Sequence, residues 1–115
     1  MTETPWVADA GDLIWTEFTP TKGREQSGRR PALVVSSRVF TAMTGLAVVC
    51  PIKSRVRPFP SSVVLPPGLP VAGEILISHL RSIDALARPI THTGAAIHPS
   101  LAAEVRAKLA ALITI

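Results

Sequence analysis

The sequence predicts a small, mainly β domain in which short strands form a barrel and a single helix lies at the C-terminal end. Three observations carry this. Short apolar runs rich in Val, Ile and Leu alternate with turns drawn from 11 prolines and 7 glycines, the punctuation of an all-β chain. Helical periodicity occurs only near the end, where Leu101, Val105, Leu109 and Leu112 recur every three or four residues. The 115 residues, 47% hydrophobic and 17% charged, suffice for one modest core and are too apolar for a disordered chain.

Residues 1–10 are expected to be a flexible lead-in that Trp6 pins to the body. Residues 12–18 mix β-branched and aromatic side chains with polar ones and form the first strand. A long polar loop follows, broken by Pro20, Gly23, Ser27 and Gly28; connections of this length are functional or disordered. Pro31 opens the second strand, residues 32–35, where its missing N–H is tolerated. Ser36 or Ser37 caps a short helical turn through residues 40–42, and Met43-Thr44-Gly45 turns into the third strand, residues 46–50. That unbroken apolar run predicts burial on both faces, and Pro51 ends it.

Residues 52–60 make a second basic loop, stiffened by Pro58 and Pro60. A short strand over 62–65 leads to a rigid turn at 66–70. Residues 74–80 read as a strand continuing or bending into 81–84, and a last strand covers 87–91 with Ala96 as a continuation. Pro99 or Ser100 starts the helix, with Glu104 and Lys108 paired at i,i+4 on its outer side. No repeat or linker divides the chain, so one domain spans 1–115.

No apolar run approaches the roughly 20 residues of a membrane-spanning helix, and the acidic N-terminus is not a signal peptide. Cys50 is the single cysteine and reads as a small buried hydrophobe. A bacterial cytoplasmic protein fits all of this. The net charge of +4 hides an asymmetry. Lys22, Arg24, Arg29, Arg30, Arg38, Lys53, Arg55 and Arg57 face the single acid Glu25, a local balance of +7. A polyanion is the natural partner of such a patch; a solvated face is the alternative. His79, His92 and His98 have neither helical i,i+4 spacing nor partner cysteines, so no metal is expected, and His92 and His98 read as ordinary surface residues. No glycine motif for a nucleotide cofactor is present, and Ser54 lacks a nucleophile-elbow context. No cofactor is expected.

The run Gly11-Asp12-Leu13-Ile14-Trp15, then Pro20-Thr21-Lys22-Gly23, Glu25-Gln26, Gly28 and Arg30-Pro31-Ala32, resembles the MazF/PemK family of bacterial toxin endoribonucleases. The resemblance continues through Val48-Val49-Cys50-Pro51, Pro58-Phe59-Pro60 and residues 77–84, and covers about residues 10–112. It implies an SH3-like β-barrel, a homodimer, an acidic MazE-like antitoxin as partner, and metal-independent, sequence-specific cleavage of single-stranded RNA or mRNA. In that chemistry the 2′-hydroxyl attacks, leaving a 2′,3′-cyclic phosphate and a 5′-hydroxyl.

Such a reaction needs help in deprotonating the 2′-hydroxyl, charge on the phosphoryl oxygens stabilised, and a proton for the departing oxygen. Arg30 matches the arginine of the family's catalytic centre; stabilising the phosphorane is its first role and donating a proton its second. Glu25, a recurrent family acid, acts as general base or holds Arg30 in position. Many members carry a Thr or Ser two residues after the proline at the end of the third strand, where this chain has Lys53 followed by Ser54. Three outcomes are open: Ser54 takes over, Lys53 contributes charge to the phosphate, or activity is weakened. Lys22, Arg24, Arg29, Arg55 and Arg57 are the expected phosphate contacts, Arg81 a further RNA-binding residue, and Phe59 the stacking platform for a base. His79 stands where relatives often have Gln, and either contacts a base or is a half-buried strand histidine. The rival class is a non-catalytic RNA-binding SH3-like barrel.

Overall fold

A computed structural model describes residues 6–18 and 29–115. Its strands are β1 (Asp12–Glu17), β2 (Arg29–Val34), β3 (Leu46–Lys53), β4 (Ser62–Val64), β5 (Glu74–Leu76), β6 (Arg81–Asp84) and β7 (Ile90–Ala96), with helices α1 (Arg38–Thr44) and α2 (Pro99–Leu112). All pairings are antiparallel, in the order β4-β5-β3-β2-β1-β7, with β6 also on β3. The mainly β chain with a C-terminal helix is as expected; among the described residues the ladder ends at β4 and β7 and does not close on itself.

The central strands are buried on both faces because their apolar residues alternate between two clusters. Leu13, Leu33, Cys50 and Ile52 pack on one side under Val105, with Leu101 and Leu109 of α2 half-buried against them. Ile14, Ala32, Val34, Ala47, Val49 and Ile83 fill the other. Period-two alternation along neighbouring strands in antiparallel register produces both layers at once. Leu112, expected on the inner stripe of the helix, is instead 44% exposed, as the last residue of α2. Burial pushes the Cys50 thiol up to about 11, as suits an inert core cysteine.

Caps account for the helix limits. Ser37 Oγ accepts from the Phe40 amide at 3.1 Å, and Gly45, at φ 77°, closes α1 with its N–H on the Thr41 carbonyl at 2.8 Å. His98 caps α2 by accepting from the Ser100 amide at 3.1 Å, with Pro99 in the first turn. Trp6 lies edge-on to the His92 ring at 5.0 Å, and Ala8 is buried, so the segment from Trp6 runs along the body.

Four boundaries differ from expectation. β2 begins two residues before Pro31, because Arg29 and Arg30 pair with Glu17 and Thr16 of β1. β3 runs through Pro51 to Lys53; the proline, opposite Ala32 of β2, sits where the other edge of the strand passes from β6 to β5, a gap where a missing ladder donor costs least. Residues 74–84 are not one strand: a 3₁₀ turn at Ile77–His79 separates β5 from β6. The last strand is Ile90–Ala96 rather than 87–91, since Asp84 Oδ1 accepts from the amides of Leu86 and Ala87 at 2.9 and 3.0 Å and folds residues 84–88 into a turn.

Gly73 is the tightest backbone approach. Its φ is +140°, and a Cβ there would lie 2.3 Å from the Lys53 carbonyl oxygen. Gly73→Ala is expected to destabilise the fold by more than about 1 kcal/mol, since both the conformation and the space exclude a side chain. Thermal unfolding of the variant against the parent measures this; an unchanged midpoint would contradict the close seating of β5 on β3.

Candidate functional site

The antiparallel order brings several ends together. β1 finishes, β2 starts and β3 finishes at one end of the sheet, as the registers Glu17–Arg29 and Ala32–Pro51 require, while Arg81, which pairs with Val49 of β3, reaches the same end through its side chain on Phe18. Exposed cations therefore gather there from distant parts of the chain: Arg29 and Arg30 on β2, Lys53 on β3 and Arg81 on β6. Two of them lie over aromatic rings. The guanidinium of Arg81 lies 5.0 Å from the Phe18 ring centroid and that of Arg29 lies 5.8 Å from Trp15. Arg88 Nη1 donates to the Glu17 carbonyl at 2.7 Å and secures the end of β1.

Next to this end, the connection from β3 to β4 borders a cleft of about 290 Å³. Lys53, Arg57, Phe59 and His79 stand on its exposed rim, and Ser62 and Glu74 are buried beneath them. Phe59 is 71% exposed although aromatic, held between two prolines. The segment is tightened by a turn in which the Ser62 amide donates to the Phe59 carbonyl at 3.0 Å, with Pro60 at the second position.

Glu74 is 2% exposed and opposes Lys53 across β3 and β5. Its Oε1 accepts from the Arg57 amide at 2.9 Å, and its Oε2 is hydrogen-bonded by the Ser62 hydroxyl. The Ser62 bond, then the Arg57 amide, and then the Lys53 charge hold the carboxyl below the usual glutamate range against the opposing effect of burial. From the other side, Lys108 Nζ of α2 donates to the Ser62 carbonyl at 2.6 Å while lying 3.5 Å from Glu104. The expected i,i+4 pair is present, but its lysine also ties the helix to β4.

The structure thus places Lys53, Arg57, Phe59 and His79 around one cleft, with Arg29, Arg30 and Arg81 at the adjoining sheet end. Ser54 and Arg55 are exposed just beyond Lys53. Lys22, Arg24 and Glu25 lie outside the described residues. His79 is not a half-buried strand histidine; it is exposed on the 3₁₀ turn. Nor is His92 an ordinary surface residue. It is half-buried, its Nε2 lies 3.4 Å from Asp12 Oδ1, and its Nδ1 accepts from the Gly94 amide at 2.6 Å. Sequence reasoning passed over Glu74, Ser62, Trp15 and Phe18. The one available signal was an acid set directly before the apolar run of β5. Among the described residues no group of three His, Cys, Asp or Glu side chains is placed to hold a metal ion, and no helix is long and apolar enough to cross a membrane.

Comparison with known proteins agrees over nearly the whole chain. Residues 9–113 match the model of the PemK-like, MazF-like toxins of type II toxin–antitoxin systems. The chain is 38% identical over 108 residues to the endoribonuclease toxin MazF of Escherichia coli K12, covering 94% of this chain and 96% of that one. The crystal structure of MazF from Deinococcus radiodurans superposes with a TM-score of 0.85 at 43% identity, covering 96% of this chain and all of that one. A MazE–MazF structure from the same organism gives 0.83 at 43% identity, over 93% and 96%. The alternating double core, the C-terminal helix and the family match together show that this chain belongs to the PemK-like, MazF-like toxins of type II toxin–antitoxin systems.

Proposed function

We propose that this protein is the toxin of a toxin–antitoxin module, an endoribonuclease that cuts single-stranded RNA at particular sequences without a metal ion. The observation that carries the reading is the meeting of Arg29, Arg30, Lys53 and Arg81 at one end of the sheet, beside a cleft rimmed by Arg57, Phe59 and His79. Cations follow the RNA backbone, and an exposed aromatic ring offers a platform for an unstacked base. The E. coli relative, an endoribonuclease by name, supports the same activity.

In this mechanism the 2′-hydroxyl oxygen attacks the adjacent phosphorus as its proton passes to a base. The bond from phosphorus to the 5′-oxygen breaks, and that oxygen takes up a proton. The products are a 2′,3′-cyclic phosphate and a 5′-hydroxyl. Arg30 stabilises the charge that builds on the phosphoryl oxygens, and Lys53 adds a second positive charge nearby. Ser54 is the nearest hydroxyl to the position where relatives carry Thr or Ser. Glu25 serves as the base or orients Arg30. Lys22, Arg24, Arg29, Arg55, Arg57 and Arg81 hold phosphates, while Phe59 and His79 meet bases.

The partner is an acidic, extended antitoxin segment that crosses the same cations and competes with RNA; the Deinococcus MazE–MazF structure supports an antitoxin as partner. The protein acts in the bacterial cytoplasm as a homodimer of single-domain subunits. Incubating purified protein with a long RNA in EDTA tests the reading, with Arg30→Ala as the control for contaminating nuclease. Cleavage is expected to persist in EDTA and to vanish in the variant. Binding without any cleavage would favour a non-catalytic RNA-binding module, and cleavage only with added Mg²⁺ would overturn the mechanism.

A further inference from the structure

Buried carboxylates are costly unless their oxygens are occupied, so one that persists next to a functional cleft is there for a geometric reason. Both oxygens of Glu74 are occupied, one by the Arg57 amide within the connection that carries Phe59 and the other by Ser62, where that connection enters β4. Oε1 fixes the Arg57 amide. Oε2 fixes the Ser62 hydroxyl, whose oxygen in turn accepts from the Phe59 amide at 3.0 Å. Glu74 itself cannot shift, because Gly73 is seated against the Lys53 carbonyl and β5 is paired with both β3 and β4. Among the described residues every buried polar side-chain atom has a hydrogen-bond partner.

We propose that Glu74 is the positioning residue of the RNA cleft: its buried carboxylate clamps the connection from β3 to β4 and so sets where Arg57 and Phe59 meet the RNA. The inference rests on the RNA-facing reading above and adds the device that shapes the surface. A stiff connection presents its platform already ordered, so binding loses less conformational entropy than with a loose one. Prolines 58 and 60 restrict the chain locally and Phe59 is bonded to Ser62 at the start of β4, but among the described residues only Glu74 ties the Arg57 amide to the sheet and holds the Ser62 hydroxyl from below.

The test combines amide exchange with binding to an RNA made uncleavable by 2′-deoxy substitution. In Glu74→Ala the amides of Arg57 and Phe59 should lose protection while those of the β2–β3 ladder keep theirs, and RNA affinity should fall about tenfold. Phe59→Ala should cost about tenfold or more in the parent, in the range of one stacked base, yet less than twofold in the Glu74→Ala background. Glu74→Gln should restore protection and affinity. Its amide oxygen still accepts from Arg57, and its NH₂ donates to Ser62 Oγ, which can turn its own hydrogen to the Phe59 carbonyl 3.1 Å away. A merely structural acid would show neither the non-additivity nor the rescue.

If Glu74→Ala does not fold, Ser62→Ala replaces it and should release the Phe59 amide. Protected Arg57 and Phe59 amides in Glu74→Ala, or a full Phe59→Ala effect in that background, overturn the inference alone. Silent Arg57→Ala and Phe59→Ala in the parent overturn it together with the RNA-facing reading of this cleft.

Discussion

An RNA with one deoxyribose on the 5′ side of the cut bond will be bound almost as tightly as its all-ribose counterpart and will not be cut there. The substitution removes a single oxygen, the proposed nucleophile, and leaves every phosphate in place. The electrostatic part of the affinity depends on those phosphates and on the cations at the sheet end. Loss of cleavage with retained binding therefore isolates the chemical step. The all-ribose control should yield a cyclic phosphate on the upstream fragment and a hydroxyl on the downstream one, read by mass spectrometry. Normal cleavage of the deoxy-substituted bond would make water or a protein group the nucleophile, and Arg30 and Glu25 would need other roles.

Arg30→Ala should lower the single-turnover rate by about 10²–10³, the usual cost of removing one preorganised donor to a developing oxyanion, while RNA affinity drops by much less. The asymmetry follows from position. Arg30 is one of several cations at this end of the sheet, so the ground-state complex loses one charge among many. The transition state loses the guanidinium assigned to it. Arg30 is also exposed, at the start of β2, so the truncation leaves the core intact and the unfolding midpoint should scarcely move. Equal losses in binding and turnover would make it only another phosphate contact.

The gathering of these groups explains which parts of the site were legible in the chain. The basic residues could be read directly, because charge density along a sequence survives folding when the residues are exposed. Phe59 could be read as well, since an aromatic ring between two prolines in a basic segment has few neighbours to pack against. His79 reads as a strand residue because the apolar run Ile75-Leu76-Ile77 leads into it and no glycine or proline marks the 3₁₀ turn at Ile77–His79. Pro51 reads as a strand end because local rules forbid proline inside a ladder. They are silent on a strand whose one edge changes partners at that residue, as β3 does between β6 and β5.

Glu74 shows the limit most clearly. In the sequence it is an acid before a short apolar strand, and nothing within ten residues of it indicates a partner. Its partners, Ser62 and the Arg57 amide, lie 12 and 17 residues away and reach it only because β3, β4 and β5 stack in one sheet.

By itself the sequence determined the mainly β class, the terminal helix with its apolar stripe, the two-sided burial of the third strand, and the basic character of the two loops. Each of these follows from local propensity, from side-chain periodicity, or from net charge, which are properties of neighbouring residues. Only the tertiary structure decided that Arg29, Arg30, Lys53 and Arg81 share one end of the sheet, that Arg57 and Phe59 stand over a buried carboxylate, and where each strand stops. Those are consequences of antiparallel register and of side-chain contacts such as Arg81 on Phe18, and both depend on segments far apart in the chain.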